Sequence, residues 1–439
     1  MVRGTTLFMM MANETSILTF YIKYEAMKSF KEFQFLFSVV LIIIIYGAET
    51  FNRYVLTPLF PLFAHRRGIS ITVIGSLLGV NDISGLIFSI LLTFLLRPNL
   101  TKVFFIFGGL LGGVFFLAFG ILEYVDNNFL LTIIIFLNCA LNGVSLAMVH
   151  GCGIPVVNSI YSKHAATTVS IMQTVSGVSI FLAPVAGGIL YNIGGFQFPF
   201  LVFGTVEVAI VLILGCIMPK SGDEQIKDTK ANECLASDMK KFLSYKLLCL
   251  SSPFFCYVSA LGFRSAALAI FMKERFGLDE TNNFYVFFAI SLPYTLVSPI
   301  FGFLLDRGYC QNLYMVSIFT HPLITLLYFL IDHVQVFNNI YYLIVVLISG
   351  AIHCSCLTLS CFFQLKILST HCDFKSQLNE IAAVSQIFTW IRFFGKMLGS
   401  IVFGGFLMDY IGFTNTSLVL CLVTTLSSIA AFQCASNGV

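Results

Sequence analysis

The chain has 439 residues, 58% of them hydrophobic and 10% charged, with a formal net charge of +3 and a mean hydropathy of +0.92. Soluble domains are about 25% charged, so this composition excludes a soluble fold and makes lipid the surrounding medium. The small net charge and the absence of a basic block exclude nucleic acid as a partner.

Residues 1–33 hold Lys23, Lys28 and Lys31 among apolar pieces too short to span, and read as a cytoplasmic tail. Apolar runs able to cross a bilayer follow at 34–63, 71–95, 103–122, 129–159, 167–193 and 197–218. After a polar stretch they resume at 246–272, 282–305, 312–331, 340–367, 379–408 and 414–434. The expectation is an all-α integral membrane protein of twelve transmembrane helices. It divides into an N-terminal bundle (34–218), a cytoplasmic linker (219–245), a C-terminal bundle (246–434) and a short tail (435–439). The linker, with Asp223, Glu224, Lys227, Asp228, Lys230, Lys240 and Lys241, reads as a solvated tether.

With the N-terminus inside, cytoplasmic segments hold 16 Lys and Arg and the opposite loops only Arg66, Arg67, Lys273 and Arg275, which places both termini in the cytoplasm. The sequon at Asn13 then lies on the wrong side for glycosylation. The thirteen cysteines sit mostly in apolar runs as small buried thiols. His353-Cys354-Ser355-Cys356 reads as helix packing, and no metal or cofactor is expected.

Two stretches repeat. Gly187-Gly188-Ile189-Leu190-Tyr191-Asn192-Ile193-Gly194-Gly195-Phe196 returns as Gly404-Gly405-Phe406-Leu407-Met408-Asp409-Tyr410-Ile411-Gly412-Phe413, an offset of 217 residues (404 − 187). Ile87 to Leu92 returns as Ile300 to Leu305. The chain is therefore two similar halves. Pro184 removes a ladder donor inside a spanning helix, while Gly177, Gly187 and Gly188 admit a neighbouring backbone.

Six helices, a linker and six similar helices resemble the major facilitator superfamily, whose halves are repeats around a central substrate site. Ala183-Pro184-Val185-Ala186-Gly187-Gly188 is similar to the fifth-helix motif of its antiporters, and Gly302-Phe303-Leu304-Leu305-Asp306-Arg307 to its Gly-x-x-x-Asp-Arg loop motif. Within the superfamily, Thr57 to Pro61, Gln173 to Phe200 and Ser298 to Gly302 resemble the vesicular amine and polyamine transporters. The resemblance implies a monomeric secondary transporter working by alternating access, with Pro184, Gly187, Gly188, Asp306 and Arg307 at the gates and between the halves. An organic cation, exchanged for protons, is the substrate it implies.

Seven ionisable residues fall well inside the spans: Glu49, Arg53, Asp82, Glu207, Arg264, Arg392 and Lys396. Each costs about 2.5–3.5 kcal/mol on insertion scales unless paired or wetted, so each is a candidate site residue. Counted back from Pro58, Glu49 resembles the family's first-helix cation-binding acid. Arg53, at i+4, is its expected partner. Asp82 and Lys396 lie at matching depths and are expected to pair across the halves as a gate. Glu207 is expected to be structural. The candidate substrate contacts are Glu49, Arg53, Asn142, Gln173, Arg264, Tyr294, Trp390 and Arg392.

Three departures work against proton-coupled amine transport. Cys139 and Asn142 replace a fourth-helix Arg and Asp of the relatives, and Ser265, beside Arg264, stands where they carry an acid. Two alternatives follow: an organic anion, drawn by Arg264, Arg392 and Lys396, or a membrane sensor that no longer transports. No nucleotide loop, metal spacing or nucleophile arrangement points to an enzyme.

Overall fold

The computed structural model describes residues 34, 36–95, 98–160, 165–218, 244–370 and 377–436. The tail with its sequon, nearly all of the linker, and the side chains of Gln173 and Asp306 lie outside the described residues. Twelve helices among the described residues are long and apolar enough to cross a membrane. In the first half these are α1 Leu36–Arg66, α2 Ile71–Leu95, α3 Pro98–Ile121, α4 Asn128–Ile160, α5 Ala165–Gly194 and α6 Gln197–Ile217. The second half has α7 Tyr245–Phe276, α8 Glu280–Asp306, α9 Cys310–His333, α10 Ile340–Ser369 and α12 Phe413–Ser436. Between the last two, α11 runs as Gln377–Leu398, a π-helical Gly399–Leu407 and Met408–Ile411. Each expected span coincides with one helix, the ends differing by a few residues.

Local chemistry sets the helix ends. Ser244 caps α7 by accepting from the Leu247 N–H at 3.3 Å, and Asn339 caps α10 by accepting from Tyr342 at 2.8 Å. Gly195 after α5 (φ 71°) and Gly412 after α11 (φ 82°) take left-handed turns that favour glycine. Their separation (412 − 195 = 217) is that of the sequence repeat, so α5 and α11 are equivalent helices. Under the same offset Pro184 of α5 corresponds to Ile401 (184 + 217), inside the π-helical stretch of α11. Both helices are thus interrupted at one place, by a missing N–H in α5 and by a widened turn in α11.

Those two helices carry the seam between the halves. Phe284 of α8 lies over Gly188 of α5, where an added Cβ would meet its ring at 3.0 Å. On the symmetry-related side, Gly75 of α2 faces Gly405 of α11, and a Cβ there would lie 2.6 Å from the Gly405 backbone. Small residues let the backbones close in lipid, where apolar burial drives nothing. Phe94, Leu296 and Leu426 lie exposed on the outer surface, as a lipid-facing wall requires.

Among the described residues, one buried apolar cluster is shared by the two halves, and it lies at one end. Near the turns α1–α2 and α7–α8, one cluster combines Leu59, Phe60, Phe119 and Phe200 of the first half with Ala269, Ile270 and Phe284 of the second. Toward the opposite end, Ile42, Phe105 and Val156 belong to a cluster drawn from the first half alone. Leu250, Tyr314 and Leu365 belong to one drawn from the second alone. Thr72 donates to Asp409 at 2.7 Å, and His65 lies 3.2 Å from Glu274, both across the joined end.

Candidate functional site

Four of the seven intramembrane charges, Arg53, Asp82, Arg392 and Lys396, lie near enough to act on one another, with partners that differ from the sequence expectation. Arg53 of α1 pairs with Asp82 of α2, whose side chain is 1% exposed. Lys396 is within electrostatic influence of both, but it has no carboxylate within 4.0 Å among the described residues. The expected Asp82–Lys396 bridge is therefore corrected to a pair inside the first half. Arg53 comes from the neighbouring helix of the same bundle, and its planar fork matches a carboxylate better than an ammonium does.

The expected Glu49–Arg53 pair is likewise not a direct bridge. Although the two share one strip of α1, Arg53 turns to α2 and Glu49 turns to α3 and α4. A methyl group on Gly112 of α3 would overlap the Glu49 carboxylate, and Ser145 of α4 lies 2.6 Å from its Oε1. The same Ser145 hydroxyl lies 2.7 Å from the Gly108 carbonyl oxygen. Asn52 of α1 donates to Glu207 of α6, and the second oxygen of Glu207 is buried without a hydrogen-bond partner. Glu49 and Glu207 act on each other electrostatically. Glu207 therefore belongs to the same buried polar cluster as Glu49. The i, i+3 spacing of Glu49 and Asn52 was the available signal, since such residues share a helix face.

The two basic residues of α11 look toward the centre. Arg392 acts electrostatically on Tyr54 of α1, His150 of α4, Tyr294 of α8 and Cys354 of α10. It too has no carboxylate within 4.0 Å among the described residues. Tyr54 and His150 were not singled out from sequence, where nothing distinguishes them from packing residues, and Cys354 was read there as packing. His150 packs on Tyr46 with ring centroids 4.3 Å apart.

The remaining candidates spread more widely. Asn142 accepts from Asn81 of α2 at 3.0 Å. The indole N–H of Trp390 is buried without a partner. Arg264 leans into its own bundle, with Nη1 3.4 Å from the Tyr328 hydroxyl, while Ser265 donates to the Leu261 carbonyl at 2.8 Å. Arg307 is exposed, its guanidinium 4.2 Å above the Phe303 ring. Pro184 lies within α5 one turn before Gly187 and Gly188, which face Val55 and Phe284. His353, Cys354 and Cys356 face separate partners, namely the Ser317 carbonyl, the Tyr257 hydroxyl and the Leu313 carbonyl.

In outline, two acids sit inside the first bundle, one acid is held by Arg53, and two cations at the seam have no carboxylate within 4.0 Å among the described residues. Such a site can hold a proton on one side and an anionic group on the other. Among curated proteins, the chain is 24% identical to the human "MFS-type transporter SLC18B1", over 86% of this chain and 81% of that one. The Mus musculus protein of the same name is also 24% identical, with the same coverage. Among solved structures, a bacterial homologue of the human lysosomal transporter Spinster superposes with a TM-score of 0.69 at 11% identity, covering 92% of this chain and 97% of that one. The nucleoside transporter NupG gives 0.66 at 13% identity, covering 91% and 99%. The Major Facilitator Superfamily profile matches residues 42–371. The chain is a multi-pass membrane protein that belongs to the major facilitator superfamily, whose members here are transporters and not enzymes.

Proposed function

We propose that this transporter moves an organic anion through the seam between its halves, with Arg392 and Lys396 as the substrate's charge partners. One observation carries the reading: both cations lack a carboxylate within 4.0 Å among the described residues, while Asp82, which acts electrostatically on Lys396, is held by Arg53. Like charges at i and i+4 repel, and a charge at membrane depth is tolerated only when paired or wetted; Arg392 is exposed and Lys396 half-buried. A substrate carboxylate supplies the missing partner. The end at which the cores merge is the closed gate of one alternating-access state, and the Gly75–Gly405 and Gly188–Phe284 contacts are its seal.

Proton exchange is the second part of the proposal, lodged on Glu49. Ser145 has one hydroxyl hydrogen and two acceptors at 2.6 and 2.7 Å. A proton on Glu49 completes the relay, from Glu49 to Ser145 to the Gly108 carbonyl. The enclosing Gly112 leaves no space there for an amine.

An organic-cation substrate is the second reading. It is favoured by the position of Glu49, which resembles the cation-binding acid of the vesicular amine transporters. Uptake by proteoliposomes separates the two. Carboxylates and polyamines are offered with and without a pH gradient, and saturable carboxylate uptake is expected. Polyamine uptake with no carboxylate uptake rejects the anion reading.

A further inference from the structure

Behind the seam, inside the second bundle, four helices enclose a polar chamber that the transport reading leaves unused. One cavity of about 10 Å³ is lined by Tyr257 and Arg264 of α7, His321 and Thr325 of α9, and Gly350 and His353 of α10. An adjoining one of about 10 Å³ shares Arg264 and Thr325 and adds Tyr328 of α9 and Ser417 of α12. Each has room for about one water-sized particle, which suits a single monatomic ion, whereas sites for whole organic ligands run from about 300 Å³ upward.

The chamber is rich in donors and has no acid in its lining. Arg264 is a permanent cation with five N–H donors. Its hydrogen bond here goes to a neutral hydroxyl, that of Tyr328, at 3.4 Å, and its guanidinium stands 5.8 Å from the centre of that ring. No carboxylate lies within 4.0 Å of it among the described residues. The acid on α9, Asp332, is engaged at the helix end by Arg275 at 3.1 Å and by the Thr414 hydroxyl at 3.1 Å.

His321 is 3% exposed, and both its ring nitrogens are buried without a partner. Its ring centroid is 5.0 Å from that of His353, whose Nε2 meets the Ser317 carbonyl at 2.9 Å and so donates to it. Other groups are already committed. The Thr325 hydroxyl donates to the Pro322 carbonyl at 2.8 Å, the Ser417 hydroxyl to Phe413 at 2.9 Å, and the Tyr257 hydroxyl to Cys354. The Arg264 guanidinium, a His321 N–H and the Tyr328 O–H remain to serve a ligand. Every one of them is a donor.

We infer that this chamber binds a small inorganic anion of the halide class between Arg264 and His321, apart from the substrate path at Arg392. The anion neutralises a half-buried guanidinium that has no carboxylate within 4.0 Å among the described residues, and it gives His321 the partner its burial demands. It stays resident while substrate passes, because the lining residues come from one bundle and not from the moving seam.

The test is direct binding of radioactive chloride to the purified full-length chain in nanodiscs, with gluconate keeping the ionic strength constant. Saturable binding of one chloride per chain is expected, displaced by bromide and not by gluconate. Arg264→Gln should abolish it, and His321→Ala should weaken it by about tenfold, the loss of one good hydrogen bond to an ion. Arg392→Gln should leave it unchanged. The absence of saturable chloride binding to the unaltered protein overturns the site, a result that needs no variant to fold. Binding lost in Arg392→Gln but kept in His321→Ala overturns it as well, because the anion would then be in the substrate path.

Discussion

Arg53 and Asp82 form an ion pair that belongs wholly to the first bundle, joining α1 to α2 beside the seam. The second oxygen of Asp82 is buried without a partner, so the carboxylate depends on Arg53 for its charge balance. Removing one member of a buried pair costs about 3–5 kcal/mol, because the other charge is left uncompensated. Arg53→Ala should therefore lower the melting temperature sharply, and Arg53→Asp with Asp82→Arg should recover much of the loss. Exchanging Asp82 with Lys396 should give no recovery. Differential scanning fluorimetry on the three variants decides between these pairings.

The glycine contacts of the seam make a comparison within one protein. Alanine at Gly75 would press its Cβ to 2.6 Å from the Gly405 backbone, whereas at Gly302 a Cβ meets nothing within 4 Å. Overpacking of this kind costs about 1–3 kcal/mol. Gly75→Ala should slow transport by hindering closure of the joined end, and Gly302→Ala should be close to neutral. Equal loss of flux in both would show that the Gly75–Gly405 approach is not the seal.

The Ser145 relay predicts a separation between substrate and proton. Glu49→Gln keeps the shape and hydrogen-bonding capacity of the side chain but cannot release a proton. Substrate counterflow should survive in this variant, while stimulation of uptake by a pH gradient should vanish. Ser145→Ala should retain some stimulation, because it removes the relay and not the acid. A Glu49→Gln protein that still responds to the gradient places the coupling proton elsewhere.

Helix number, span limits and twofold repetition were legible in the sequence because each rests on a property of position. A span needs some twenty apolar residues, and the paired glycines are needed wherever two backbones touch, whatever surrounds them. Depth was legible for the same reason: Asp82 and Lys396 do come near enough to interact. Direction was not. Whether Arg53 reaches toward Glu49 or Asp82 depends on rotation about several single bonds and on which neighbouring helix offers a partner. Glu207 was undervalued because its link to the site runs through Asn52, an uncharged residue that hydropathy does not single out. The chamber around Arg264 was hidden too, since His321 and His353 lie in apolar helices whose facing sides emerge only from their packing.

The central claim is that the cations at the seam receive the substrate. The most direct measurement is carboxylate and polyamine flux into proteoliposomes holding the unaltered chain, Arg392→Gln or Glu49→Gln. The account predicts saturable carboxylate uptake that is lost in Arg392→Gln, persists as counterflow in Glu49→Gln, and has no polyamine equivalent. Polyamine uptake that survives Arg392→Gln and disappears in Glu49→Gln would contradict it.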